Sequence, residues 1–172
     1  MKQILTAIAA IAILASPTFT QTPANAGPQR ARLGSFAGQW TIEGDAEGEQ
    51  YTIKDNCEWF AGGFHLVCRR EGTGAGPMAG LRGQLTLGYS AGEKAYTVHT
   101  FNNFGNEFFM KGNVNDRTWT FAGDTKIPDG TLMKLRMTLT EQAPASYVFE
   151  IQGSANGTSW ITFEKGKATK AH

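Results

Sequence analysis

The sequence predicts an all-β protein built as a single antiparallel up-and-down barrel of about ten strands. Turn-forming residues recur roughly every eight to twelve residues between Gly44 and Gly157, and the short runs between them alternate apolar with polar or small residues. Such alternation is typical of strands with one buried face. Ten turns delimit up to eleven strands, or ten if Asp55-Asn56 is only a bulge. Because an antiparallel meander has two exposed edges unless it closes, we expect a barrel, with a two-sheet sandwich as the alternative.

The clearest alternating runs mark strands along the whole chain. The first covers Phe36 to Ile42, another covers Leu81 to Tyr89, and a later one covers Tyr147 to Ile151. Trp160 to Phe163 begins the last predicted strand, after an Asn-Gly pair that is typical of a tight hairpin turn. No segment keeps a helical period, although Gln29 to Ser35 is expected to form one helical turn before the first strand.

The first 26 residues have the layout of a secretory signal peptide. Lys2 precedes an apolar stretch from Ile4 to Leu14, and Ala24-Asn25-Ala26 offers a cleavage site of small residues. The apolar stretch is too short to cross a membrane. We therefore expect residues 1–26 to be a signal peptide that is cleaved after Ala26, and residues 27–172 to form one barrel domain in the periplasm or outside the cell.

Removing the signal peptide changes the net charge of the chain. The whole sequence carries 16 Lys and Arg against 15 Asp and Glu, and the first 26 residues contain one Lys and no acidic residue. The mature chain is therefore formally neutral, and it has no basic excess for binding nucleic acid. We expect no nucleic-acid partner, no membrane span, and either a monomer or a homodimer.

The two cysteines are predicted to form a disulfide across a hairpin. Between Cys57 and Cys68, Gly62-Gly63 is a strong signal for a two-residue turn. If these glycines form the turn, residues whose numbers add up to 125 lie opposite each other, so Cys57 faces Cys68 and Trp59 faces Leu66. Directly opposed antiparallel residues are close enough for a disulfide, and an exported protein meets an oxidising environment.

The first predicted strand contains Phe36-Ala-Gly-Gln-Trp40, which resembles the Gly-x-Trp motif that opens the lipocalin and avidin-like (calycin) barrels. The mature chain as a whole resembles an uncharacterised calycin-like family of small, often exported bacterial proteins, domain of unknown function family 1579. Its other points of resemblance are Cys57 to Gly63, Leu87 to Tyr89 followed by Tyr96, and the strand at Trp160.

This resemblance implies a calycin-type barrel in which Trp40 plugs the closed end beneath a ligand cavity. It implies no established activity. Lipocalins usually stack an arginine from a late strand on this tryptophan, whereas the last strand of this chain offers Lys165 and Lys167.

Residues that could carry out catalysis or bind a metal do not form a recognisable set. His65, His99 and His172 are far apart in the sequence, and a zinc site takes three or four ligands. No general base can be matched to a nucleophilic side chain from the sequence. Gly72 to Gly80 is expected to be a flap at the barrel rim that gates a cavity. We therefore predict no enzyme activity, no metal and no cofactor.

The aromatic residues are more numerous than plugging one barrel end requires, and a cavity lined by aromatic side chains suits a hydrophobic small molecule. The leading hypothesis is a barrel that binds a small apolar ligand without catalysis, with Trp40 as the floor and Leu85, Leu87, Tyr96 and His99 as candidate wall residues. His99 either bonds to a neighbour in the wall or anchors the ligand. The alternative is a filled structural barrel that acts as an envelope protein-interaction module through its edges or rim loops.

Overall fold

The computed structural model describes residues 27–126, 130–143 and 145–171. The predicted signal peptide, residues 1–26, lies outside the described residues, as does His172. A short helix, α1 (Gly27–Leu33), and a 3₁₀ turn (Gly34–Phe36) come first, close to the helical turn that the sequence predicts. In the described part of the chain, no helix is long and apolar enough to span a membrane.

Ten antiparallel strands follow and close into an up-and-down barrel, which confirms the predicted fold class. Their bounds are β1 (Gly38–Ala46), β2 (Glu49–Trp59), β3 (His65–Thr73), β4 (Arg82–Ser90), β5 (Ala95–Asn102), β6 (Glu107–Asn115), β7 (Thr118–Lys126), β8 (Leu132–Ala143), β9 (Ser146–Ser154) and β10 (Ile161–Lys170). Each strand pairs with the next along the chain, and β1 pairs with β10 to close the sheet. Asp55 and Asn56 lie inside β2, which is why the barrel has ten strands and not eleven.

The register of β2 against β3 is the one that the sequence predicts. Cys57 pairs with Cys68, and Trp59 pairs with Leu66. Gly62 and Gly63 in the connecting turn have φ values of 87° and 69°, in the left-handed region that glycine adopts without steric cost. The two cysteines form the predicted disulfide, and both of their side chains are buried inside the barrel.

Helix α1 and the 3₁₀ turn cover one end of the barrel, which we call the closed end. Leu33 and Phe36 are buried there, and the Phe36 ring meets the Trp119 ring edge-on, with 5.0 Å between the ring centroids. The Trp40 indole Nε1 donates a hydrogen bond of 2.8 Å to the carbonyl oxygen of Phe36. These contacts fix Trp40 at the closed end, where the calycin resemblance places it.

The cation that lies over Trp40 is Lys170, and not Lys165 or Lys167. Lys170 pairs with Trp40 across the β1–β10 seam, and its Nζ lies 5.4 Å from the centroid of the indole ring. Lys165 and Lys167 pair with β1 residues farther from the closed end. The register between β1 and β10 therefore determines which lysine lies over Trp40.

A carboxylate on β8 attaches α1 to the barrel wall. Arg32 forms a two-pronged ion pair with Glu141, with N–O distances of 2.8 and 2.9 Å, and the Trp119 Nε1 donates to the same carboxylate at 2.8 Å. Burial alone would raise the pKa of Glu141, but the hydrogen bonds from Arg32 and Trp119 outweigh burial and hold the pKa below its usual value. The folded protein therefore favours the ionised carboxylate.

Removing the disulfide should lower the stability of the barrel without changing its fold. We expect the C57A/C68A double variant to keep the far-ultraviolet circular dichroism of the wild type. Because the bridge closes a loop with a sequence separation of only 11, the variant should lose about 3 kcal/mol in the free energy of unfolding. Urea denaturation under oxidising conditions measures this loss. Equal unfolding free energies for the two proteins would contradict a stabilising role.

The Glu141 carboxylate should make part of the stability dependent on pH. A folded-state pKa below the unfolded value means that the stabilisation is present above the unfolded pKa and is lost as pH falls through the folded pKa. We expect Glu141→Gln to cost about 1–2 kcal/mol at pH 7 and progressively less as the pH is lowered below about 4.5. Glu93→Gln, which breaks an exposed pair with Lys111, is the matched control and should change little at either pH. A cost of Glu141→Gln that does not vary with pH would contradict this assignment.

Candidate functional site

The barrel encloses a cavity of about 80 Å³ between its closed end and the opposite, open end. Phe36 and Trp40 form the floor of the cavity at the closed end. The apolar wall consists of the Cys57–Cys68 disulfide with Ile42, Leu85, Leu87, Val98, Phe121, Met137, Leu139, Phe149 and Ile151. An engineered apolar cavity of about 150 Å³ holds one benzene molecule, so this cavity suits an occupant of only a few non-hydrogen atoms.

Aromatic side chains fill much of the interior beside this cavity. Trp119 is completely buried, its ring packs edge-on against Tyr96 at 4.7 Å, and it stacks on Phe121 at 6.3 Å. Tyr96 also contacts Tyr89 at 5.1 Å. The interior of the barrel therefore contains both a small cavity and, beside it, a packed layer of aromatic side chains.

Two glycines in the wall allow large rings to lie close to the strands. A Cβ on Gly44 in β1 would lie 2.3 Å from Cζ of Tyr51, and a Cβ on Gly166 in β10 would lie 2.9 Å from Cε1 of Phe149. Both distances are far below van der Waals contact. The Tyr51 and Phe149 rings therefore occupy space that side chains at these two positions would take.

A buried ion pair forms part of the wall of the cavity. Arg70 in β3 lies directly opposite Asp55 in β2, and its Nε donates a hydrogen bond of 3.0 Å to the Asp55 Oδ1. The Asp55 side chain is 6% exposed and that of Arg70 is 22% exposed. Burial raises the pKa of Asp55 above its usual value, against the lowering effect of Arg70. Burial alone would lower the pKa of Arg70, but the Asp55 carboxylate outweighs burial and raises it.

Glu164 and Tyr51 form a second polar pair toward the open end. The Tyr51 hydroxyl donates a hydrogen bond to Oε1 of Glu164, and burial followed by the charge of Glu164 raises the pKa of Tyr51 far above its usual value. Glu164 lines the cavity and also an outer cleft of about 370 Å³, together with Pro77 and Met78 of the β3–β4 loop and Phe163 of β10. The Tyr51–Glu164 pair therefore stands between the cavity and the outer cleft.

Tyr147 in β9 is the fourth polar residue that lines the cavity. Its ring contacts Phe36 at 5.7 Å and Trp40 at 5.1 Å, so the floor of the cavity holds it in place. Burial raises the pKa of Tyr147, and the Asp55 carboxylate raises it further. The hydroxyl is therefore protonated at any physiological pH and is available as a hydrogen-bond donor.

The five residues that the sequence predicts for ligand binding lie in three different places. Trp40, Leu85 and Leu87 line the cavity together. Tyr96 is buried in the aromatic layer and is not part of the cavity lining. His99 lies on the outer surface, so the expectation that it lines the cavity wall is corrected.

His99 faces outward because side chains alternate along β5. Val98 is 1% exposed and lines the cavity, so its neighbour His99 must point to the opposite face. The His99 Nε2 lies 2.9 Å from Oε1 of Glu107, and the imidazole ring packs beside Phe101 and Phe109. His99 therefore bonds to a neighbouring side chain, as one of the two expectations for it has it, but the bond lies on the outer surface of the barrel.

Four polar residues of the cavity, Asp55, Arg70, Tyr147 and Glu164, are absent from the sequence-based set. The hairpin register would have found two of them, since 55 and 70 also add up to 125 and place Asp55 opposite Arg70 on the face of the cysteines. Glu164 could not be found in this way. The register of β10 against β9 shifts between Thr162 and Glu164, and such an irregularity changes which residues face inward.

Among the described residues, no three His, Cys, Asp or Glu side chains lie close enough together to hold a metal ion. A protein-family model described as a protein of unknown function (DUF1579) matches residues 25–170. The chain belongs to this family. The match covers almost all of the predicted mature domain and confirms the resemblance that the Gly-x-Trp and cysteine segments indicate.

No curated protein matches the chain. Two solved structures that are similar to this DUF1579 member are designed proteins. A de novo designed fluorescence-activating β-barrel is 12% identical, with a TM-score of 0.46 over 80% of this chain and 94% of the designed one. A redesigned β-barrel is 14% identical, with a TM-score of 0.43 over 80% of this chain and 93% of the other.

Proposed function

We propose that this DUF1579 protein is an exported barrel that binds one small, largely apolar molecule in its central cavity and performs no chemistry on it. The observation that carries the proposal is the cavity itself, which has an apolar wall and a few convergent polar groups. Ligand sites in proteins commonly combine these two features. Trp40 supplies the floor in this proposal, and Leu85 and Leu87 supply part of the wall.

The proposed route into the cavity passes the outer cleft at the open end. Glu164 lines both spaces, and the β3–β4 loop forms one side of the cleft. Gly74, Gly76 and Gly80 in this loop all have positive φ values. A Cβ on Gly76 would lie 2.3 Å from the Gln50 carbonyl oxygen, so the loop lies directly against the start of β2. Opening of this loop is the proposed step that admits the ligand.

Export is the part of the proposal that depends on residues 1–26. Their sequence has the layout of a signal peptide, with a basic start, a short apolar core and small residues at the cleavage site. The Cys57–Cys68 disulfide is compatible with an oxidising compartment such as the periplasm. The absence of catalysis is proposed because the carboxylates of the cavity are engaged, Asp55 with Arg70 and Glu164 with Tyr51.

Filling the cavity should abolish binding while leaving the barrel intact. We expect small apolar probes to quench or shift the tryptophan fluorescence of the wild type, because Trp40 forms the cavity floor. Leu85→Phe places a larger side chain in the cavity without adding a tryptophan and should weaken binding about tenfold or more, since an overpacked site must exclude the ligand. Val98→Phe is a second variant that fills the cavity. Val98 lies on β5, which pairs with the strand of Leu85, β4.

The matched control is Phe101→Leu, which changes an exposed ring on the outer face of β5 and should leave binding unchanged. Native mass spectrometry of the gently purified protein should detect a small adduct. Absence of binding across a broad panel of small apolar probes, with a folded wild type, would contradict the proposed function.

The second candidate function is the interaction module. It is favoured by an exposed aromatic patch on the outside of β5, β6 and their connecting loop, where Phe101, Phe104 and Phe109 are each close to half exposed. Exposed apolar patches of this kind often mark contact surfaces. Because the barrel is closed, it has no free strand edge that could pair with a partner protein. A partner would therefore contact the rim loops or this aromatic patch. The same probe panel separates the two functions, because the interaction module requires no ligand in the cavity.

A further inference from the structure

The hydrogen-bonding groups that face the cavity include donors without acceptors. Arginine carries five N–H donors. The Arg70 Nε is bonded to Asp55, whereas no hydrogen bond among the described residues uses its Nη1 or Nη2. The side chain keeps 22% of its surface accessible and lines the cavity. Its terminal nitrogens are therefore able to donate to a molecule inside the barrel.

The Tyr147 hydroxyl is a second donor at the same cavity. Its ring is held by Phe36 and Trp40, and no hydrogen bond of the hydroxyl occurs within the described part of the chain. Tyr147 lines the cavity together with Asp55 and Arg70, and it interacts electrostatically with both of them. A molecule in the cavity can thus meet an uncharged donor and a guanidinium together.

The charges around these donors disfavour an anionic ligand. Arg70 is the one basic residue in the cavity lining of the described chain, and its charge is already balanced by the Asp55 carboxylate. Glu164 adds a second carboxylate. A ligand carboxylate would bring a further negative charge into a poorly solvated space, where like charges interact strongly. A neutral acceptor avoids this cost and still satisfies both donors.

We infer that the cavity takes a small neutral carbonyl compound, whose carbonyl oxygen accepts hydrogen bonds from Arg70 and Tyr147 while its short hydrocarbon part packs against the apolar wall. This inference rests on the proposed function, since it names the class of ligand for the same cavity. The cavity volume of about 80 Å³ sets the size of the ligand, and it suits a short-chain ketone or ester.

The test compares three probes of four non-hydrogen atoms each: acetone, acetate and isobutene. Titration followed by amide chemical shifts in nuclear magnetic resonance spectra measures each affinity, with perturbations expected at cavity residues. We expect acetone to bind about tenfold or more tightly than either of the other two probes, because only the ketone combines a neutral body with an acceptor for the two donors.

Tyr147→Phe removes the hydroxyl and keeps the ring. It should weaken acetone binding about threefold to tenfold and leave isobutene binding unchanged, as expected for the loss of one hydrogen bond. Tyr89→Phe, which removes a hydroxyl outside the cavity lining, is the matched control and should change neither affinity. Arg70→Lys is the second test variant, because it keeps the charge but not the planar donors.

The outcomes separate the inference from the proposed function. Acetate binding more tightly than acetone would overturn the charge argument. Equal affinities for acetone and isobutene, unchanged in Tyr147→Phe, would overturn the carbonyl assignment and leave an apolar ligand site in place. Binding of none of the three probes to the folded wild type would overturn the inference together with the proposed function.

Discussion

The pairing of β2 with β3 is the constraint on which the interior of this barrel depends. Side chains alternate between the two faces of a strand, so a shift of one residue would move every inward side chain of the hairpin to the outside. The Cys57–Cys68 bond excludes such a shift. The same register then places Asp55 opposite Arg70 two residues farther from the turn. A disulfide and an ion pair therefore share one wall of the cavity.

A buried ion pair is costly unless each charge is compensated, because both groups lose their hydration. In this barrel Asp55 and Arg70 compensate each other, and apolar side chains would be a simpler filling for the same wall. The pair therefore adds specificity to the interior, by keeping a guanidinium in a space that is otherwise apolar. At the closed end the ion pair has a different role, because Glu141 binds both Arg32 of α1 and the buried Trp119 and so keeps α1 over the floor.

The sequence predicts the features of this protein that depend on local pattern. Alternation and turn residues predict ten strands, the Gly62-Gly63 turn predicts the disulfide, and the Gly-x-Trp segment predicts that Trp40 lies at the closed end. Tyr96 and His99 could not both face inward, because they are three residues apart on a strand whose side chains alternate with a period of two. The period of two therefore excludes one member of the pair, and the burial of Tyr96 and Val98 shows that His99 is the one that faces outward.

Other features depend on pairings that no local pattern contains. Lys170 and not Lys165 lies over Trp40, because the seam between the first and last strands fixes that register. Glu164 faces the cavity next to a register shift in β10. The volume of the cavity depends on how all ten strands curve, and on the space that Gly44 and Gly166 leave for neighbouring rings. These quantities arise only when distant segments meet.

The most direct test of the interior described here is a double-mutant cycle on the ion pair, measured by urea denaturation at neutral pH. Arg70→Met alone should lower the free energy of unfolding by about 3 kcal/mol, because it leaves Asp55 buried without its cation. Asp55→Val combined with Arg70→Met should cost at least about 1 kcal/mol less than the sum of the two single changes. If the two changes add within about 0.5 kcal/mol, the residues do not interact, and Asp55 and Arg70 do not form the buried pair on which the cavity depends.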